Sequence, residues 1–216
     1  MTEVLVQPLR KRRAEPPEVR REQLITATIT CIARNGMSAT TMAEVTKEAG
    51  LSQGIVNLHF ESKEKLLIAT LRTIADEYNS GQQKILTSSV HTAVADKIQA
   101  LLDFDFSPRV TRKDKLAVWF AFWGEAKSRP TYQHICSASD IATDAAIRSL
   151  FQQAIDEGGY RGISAELLAQ GYTALIDGLW LDLLIAPRRF TRKRAKQIAT
   201  LYLANALPQH IEPPGD

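Results

Sequence analysis

Gln53 and Asn57 stand four residues apart, with Gly54 and Ile55 beside the first of them. A side-chain amide presents a donor and an acceptor in one plane, the pair that bidentate contact with an adenine edge requires. One helical turn separates the two amides, so a short helix beginning after Ser52 carries both on one face. Gly54 lets the helix backbone come close to a partner, and Ile55 can touch a thymine methyl. Lys63 can neutralise a phosphate, and the free N–H groups of helices capped by Thr41 and Ser62 can bond others. Contacts of this second kind position a protein on a polyanion without reading its sequence. The chemistry on offer is recognition.

Helices must hold these groups in place. Thr41 followed by Glu44 is a capping box, and Met42, Val45 and Ala49 give the helix it starts one apolar face. That helix ends at Gly50 after about two turns. Ser52 is the expected N-cap of the next, which runs to about His59, and Ser62 caps a longer one reaching toward Leu86. Upstream, Leu24, Ala27, Thr28, Cys31 and Ile32 recur at helical spacing until Gly36. A helix, a tight turn at Gly50 and a second short helix have the geometry of a helix-turn-helix, whose second helix enters the major groove.

The rest of the 216 residues also reads as helix, near 91–105, 111–128, 131–157, 163–186 and 191–206, about nine helices in all. Pro108, Pro130, Gly158-Gly159 and Pro187 fall at the breaks, and no proline lies between Pro17 and Pro108. Sparse interior punctuation disfavours a sandwich or barrel of many short strands. An all-α chain is expected, with a basic arm over 1–17, a reading head over 18–65 and a helical bundle over 66–208. No apolar run is long enough to span a membrane, and the basic run Arg10–Arg13 is not followed by an apolar signal core. Cys31 and Cys136 lie far apart with no CxxC or Cys/His cluster, so neither a disulfide scaffold nor a metal site is expected, and a reduced, cytoplasmic setting is. Up to Arg21 six basic residues face three acidic ones. That imbalance suits a polyanion, although such a run also serves as a solvated tail.

A second constellation lies downstream. Trp119 and Trp123 share a helix face, Phe120 and Phe122 lie between them, and Trp180 sits in Leu175-Ile176-Asp177-Gly178-Leu179-Trp180-Leu181. Taken singly, each ring is ordinary core. Glu125, Asp177 and Asp182 fall among them, however, and aromatic faces with a carboxylate are what an organic cation needs. Trp119, Phe122, Trp123, Glu125, Tyr172, Asp177 and Trp180 are therefore the candidate effector residues. Helix 163–186 is apolar on more than one face, and its Gly171, Ala174 and Gly178 permit close helix approach.

Leu24 to Thr28, Gly36, Thr40-Thr41, Val45, Ala49 to Ser52, Gly54, His59-Phe60 and Ser62 to Leu66 resemble the DNA-binding domain of the TetR family of transcriptional regulators, in order and without gaps over about 20–70. Thr46 stands where that family usually has Ala, and Asn57 where it often has Tyr. The resemblance implies an operator-binding head and a helical domain that binds a small effector and pairs into a homodimer. It adds Thr40 and His59 to Thr41, Ser52, Gln53, Gly54, Ile55, Asn57 and Lys63 as DNA-contacting residues, His59 by way of a phosphate. Phe104-Asp105-Phe106, Trp119 to Trp123, Pro130 and Leu175 to Leu181 are similar to the regulatory domain of BetI-type repressors. That branch responds to choline, so choline or another organic cation is the implied effector. No cofactor is implied.

One motif points elsewhere. Gly50-Leu51-Ser52-Gln53-Gly54 fits the G-x-S-x-G nucleophile elbow of hydrolases, with His91, His134 and His210 downstream. An elbow needs a strand before the serine, whereas Met42–Ala49 has a capping box and helical spacing. A hydrolase reading is disfavoured, and a helical protein-interaction adaptor is the other class to separate by whether a DNA site can be selected.

Overall fold

The computed structural model describes residues 15–215, and within them every side chain but those of 138–143. Most of the expected basic arm, residues 1–14, lies outside the described residues. The described residues form nine α-helices and no strand: α1 Pro17–Asn35, α2 Met42–Ala49, α3 Gln53–His59, α4 Lys63–Leu86, α5 Val94–Asp105, α6 Lys113–Ala126, α7 Pro130–Gly158, α8 Ala165–Ile185 and α9 Arg192–Ala206. None is long and apolar enough to cross a membrane. Both cysteines are free and buried.

Local chemistry sets most ends. Thr41 and Glu44 form the reciprocal capping box, and Ser62, Ser164 and Thr191 each accept a backbone N–H at the start of α4, α8 and α9. Gly50 closes α2 in the left-handed conformation at φ 65°. There its N–H and that of Leu51 reach the carbonyls of the last turn, including Thr46. Two expectations are corrected. Ser52 precedes α3 in extended conformation but makes no side-chain cap bond. Helix α5 starts at Val94 rather than near residue 91, because the Ser88 hydroxyl accepts the N–H groups of Val90 and His91 and holds that stretch in a turn.

Burial is organised in three apolar clusters. Leu24, Cys31, Val45, Val56, Phe60 and Leu66 lock α1, α2, α3 and the start of α4 into the head. Ile32, Met37, Leu67 and Leu71 meet Val118, Trp119, Phe122 and Tyr132, joining the end of α1 and the first half of α4 to α6 and α7. The largest cluster, including Leu102, Phe151, Ile176 and Leu203, fills the bundle of α5, α7, α8 and α9. The middle cluster matters most for function. It makes α6, which carries the aromatic run, a direct neighbour of the head.

Candidate DNA interface and effector cavity

On α3 only Val56 is buried; Gln53, Gly54, Asn57 and Leu58 are exposed and Ile55 and His59 are half-buried. The face that carries the two amides is therefore free, as base reading requires. Leu58, 80% exposed, is a more open apolar group than Ile55, which packs partly inward. Thr41 and Ser52 are exposed and Lys63 half-buried at the start of α4. His59 is tied in through its backbone, where its carbonyl accepts from Arg21, whose guanidinium also lies 4.3 Å from the centre of the Phe60 ring. Thr40 is a correction: it is buried, and its hydroxyl donates to the Gly36 carbonyl at 2.8 Å. Its side chain is occupied in closing the loop between α1 and α2.

The effector residues separate into two groups. Trp119, Trp123, Tyr172, Asp177 and Trp180 line one cavity between α4, α6, α7 and α8, and Tyr78, Gln82, Asp144 and Thr173 are among its other wall residues. Phe122 and Glu125 are elsewhere. Phe122 is fully buried edge-on against Tyr132, at 4.9 Å between ring centres. Glu125, at the end of α6, pairs with Arg129, which also reaches Glu64 in the first turn of α4. Both were expected from sequence proximity to Trp123; helical rotation turns Phe122 inward, and Glu125 lies near the head.

Aromatic contacts shape the cavity. Trp119 and Trp123 sit 5.9 Å apart, and Tyr78 meets Trp180 edge-on at 5.2 Å. A neighbouring cavity shares Tyr78, Trp119 and Trp180 as its wall. Glu77 lines that second chamber, bonded to Arg109 and Lys115. Burial opposes its charge, but those two bonds prevail and hold its carboxyl below the usual range. On the walls, Trp119 Nε1 and Gln82 Oε1 are buried with no hydrogen-bond partner. A donor and an acceptor left open in this way are places for a ligand's polar group.

Asp105 is not among the expected effector residues; its only sequence signal is its place in the BetI-like Phe104-Asp105-Phe106. It is fully buried, and its carboxylate accepts from Tyr172 at 2.5 Å, Tyr78 at 2.9 Å and Gln82 at 3.4 Å. Trp180 Nε1 donates to its backbone carbonyl at 2.9 Å. Burial pushes the carboxyl up to about 6, against the hydrogen bonds that pull it down. Burial, with Asp105 alongside, raises both tyrosines well above the usual phenol range.

The family described as "Bacterial regulatory proteins, tetR family" matches residues 24–70, and that described as "BetI-type transcriptional repressor, C-terminal" matches 94–208, more than half of the chain. The chain belongs to the TetR family, in its BetI-type branch. Among this TetR-family chain's relatives, the HTH-type transcriptional regulator BetI of Stenotrophomonas maltophilia is 31% identical over 193 residues, 89% of this chain and 94% of that one. BetI 1 of Chromohalobacter salexigens is 30% identical, covering 88% and 91%. A solved transcriptional regulator of Pseudomonas aeruginosa PAO1 superposes with a TM-score of 0.78 at 27% identity, over 91% of this chain and 93% of that one. One from Saccharomonospora viridis, solved in complex with choline, shares the fold at a TM-score of 0.74 and 22% identity, covering 89% and 97%. TetR-family relatives of these kinds are transcriptional regulators, a non-enzymatic class, and the helical setting of Ser52 leaves no strand for a nucleophile elbow.

Proposed function

We propose that the chain is a repressor that binds a palindromic operator as a homodimer in the cytoplasm and leaves it when an organic cation, choline first among candidates, fills the aromatic cavity. The observation that carries the effector reading is the convergence of Trp119, Trp123, Tyr172, Asp177 and Trp180, from two helices, on one cavity. Electron-rich ring faces with a carboxylate attract a quaternary ammonium group, and the open Trp119 Nε1 and Gln82 Oε1 suit a ligand hydroxyl. The choline held by the Saccharomonospora viridis regulator makes the same chemistry the natural first test.

The DNA reading rests on the exposed face of α3. Gln53 and Asn57 read base edges, Gly54 permits close approach, Ile55 supplies an apolar contact, and Thr41, Ser52, His59 and Lys63 meet the backbone. For the dimer, Leu167, Ala174, Gly178, Leu181 and Ile185 are all exposed and follow one another at helical spacing along α8. Leu201 of α9 is exposed as well. Gly171 permits a close helix approach within the chain: a Cβ there would meet the Tyr202 hydroxyl at 2.2 Å, where α8 packs on α9. Pairing two copies through α8 would set two α3 helices on successive major-groove turns, about 34–36 Å apart.

The decisive experiment is a choline titration that follows tryptophan fluorescence and operator release together. Saturable quenching with parallel release is expected. Absence of either at millimolar choline would sink the effector assignment.

A further inference from the structure

Every side chain that holds Asp105 is also a wall residue of the aromatic cavity: Tyr78, Gln82, Tyr172 and Trp180. The carboxylate thus lies one layer behind the surface a ligand would touch. Its side-chain partners are two phenols and an amide, all neutral, so among the described residues this buried carboxylate is paired with no cation. Glu77 of α4 bonds Lys115 and Arg109, Asp144 of α7 accepts from Thr173, and Lys196 of α9 pairs with Asp103 on the outer side of α5. Asp177 of α8, itself a wall residue, acts on Tyr78.

We infer that Asp105 is the counter-charge of the cavity, a positioning residue that selects cations over neutral molecules of the same shape and makes effector affinity rise with pH. This rests on the cavity being the effector site. In a low-dielectric interior a cation is attracted across one layer of side chains, which water would otherwise screen. The attraction exists only while the carboxyl is ionised. A bound cation therefore favours the ionised form, and protonation of Asp105 weakens binding. The polar pair Tyr78 and Gln82 lies on α4, whose first turn carries Lys63 and Glu64 at the head. Ligand binding that recruits the Asp105 charge thus acts on two residues of the helix that enters the head.

The test uses the full chain and three probes: choline, tetramethylammonium and the neutral 3,3-dimethylbutan-1-ol, each titrated by tryptophan fluorescence from pH 5 to pH 8. With the carboxyl titrating at about 6, roughly a tenth of it is ionised at pH 5, so the Kd of both cations is expected to be about tenfold higher there than at pH 8. The neutral alcohol is expected to show no such rise. Asp105→Asn should flatten both cation profiles at the weak, low-pH level, and should keep its melting temperature at pH 7.5 at or above that of the parent. Should that variant not fold, Tyr172→Phe, which removes a donor to the carboxylate, should move the midpoint of the cation profile upward. Cation Kd values equal across the range, or a pH dependence that survives in Asp105→Asn, would overturn this inference and leave the cavity assignment standing. No saturable binding of either cation to the parent protein at any pH would overturn both.

Discussion

The reading head and the effector cavity are built on opposite plans. In the head the groups proposed to meet DNA come from one short stretch, Thr41 to Lys63, and are held by neighbours in sequence: a capping box, a left-handed glycine and a compact apolar cluster. The cavity gathers Tyr78, Trp119, Tyr172 and Trp180 from segments that are distant in the chain, and the carboxylate behind its wall takes all of its side-chain hydrogen bonds from outside α5. A head of that kind tolerates variation in what it reads while keeping its geometry. A cavity of that kind depends on the packing of the whole bundle, and the shared α6 cluster is where the two plans meet.

The sharpest way to break that contrast is to damage the meeting point. Phe122→Ala removes a fully buried ring from the cluster joining α1, α4, α6 and α7 and is expected to cost about 3–5 kcal/mol, read by urea unfolding, with DNA and effector binding weakened together. Loss of one binding activity alone would show that the cluster does not couple the two regions.

Next comes pH. Asp105 sits at about 6 in the fold against an ordinary 3.8, so the folded state holds this proton more tightly than the unfolded chain does. Its contribution is therefore fully present below about pH 4 and is lost as pH rises through 6, a fall on the order of 2–3 kcal/mol. Unfolding of the ligand-free protein at pH 5 and pH 7.5 reads part of this fall, and Asp105→Asn should abolish it. The same slope in the variant would assign the effect to other groups.

Within the head the effects are smaller and separable. Gln53→Ala should cost about 1–3 kcal/mol of discrimination at one base pair per half-site and leave the choline Kd unchanged; unaltered sequence preference in a binding-site selection would mean that α3 is docked differently. Thr41→Ala, which removes the capping box, should lower stability by about 1 kcal/mol in a thermal melt. Lys63→Ala should weaken binding to every sequence alike and reduce the slope of log Kd against log salt by about 1, a change that competition with random DNA would match only if the contact is to phosphate.

The periodicity and caps in the sequence determined the helices, because N-caps, left-handed glycines and the 3.6-residue repeat act over a few residues. They placed α2, α3, α4 and α9 within a residue or two, and they identified the free face of α3. The same locality explains what they missed. Thr40 reads as an exposed neighbour of Thr41 until the α1–α2 loop folds its hydroxyl onto Gly36. Phe122 and Glu125 read as cavity residues beside Trp123 until the rotation and length of α6 send one into the core and the other toward Arg129. Tyr78 and Gln82 carry no mark in the sequence, and Asp105 only its place in the BetI-like Phe104-Asp105-Phe106, since a buried carboxylate is recognisable only once its donors, 23 to 67 residues away, are packed around it. Which residues form helices was settled by local backbone and side-chain chemistry. Which aromatic rings face a cavity, and which carboxylate stands behind them, was decided by long-range packing alone.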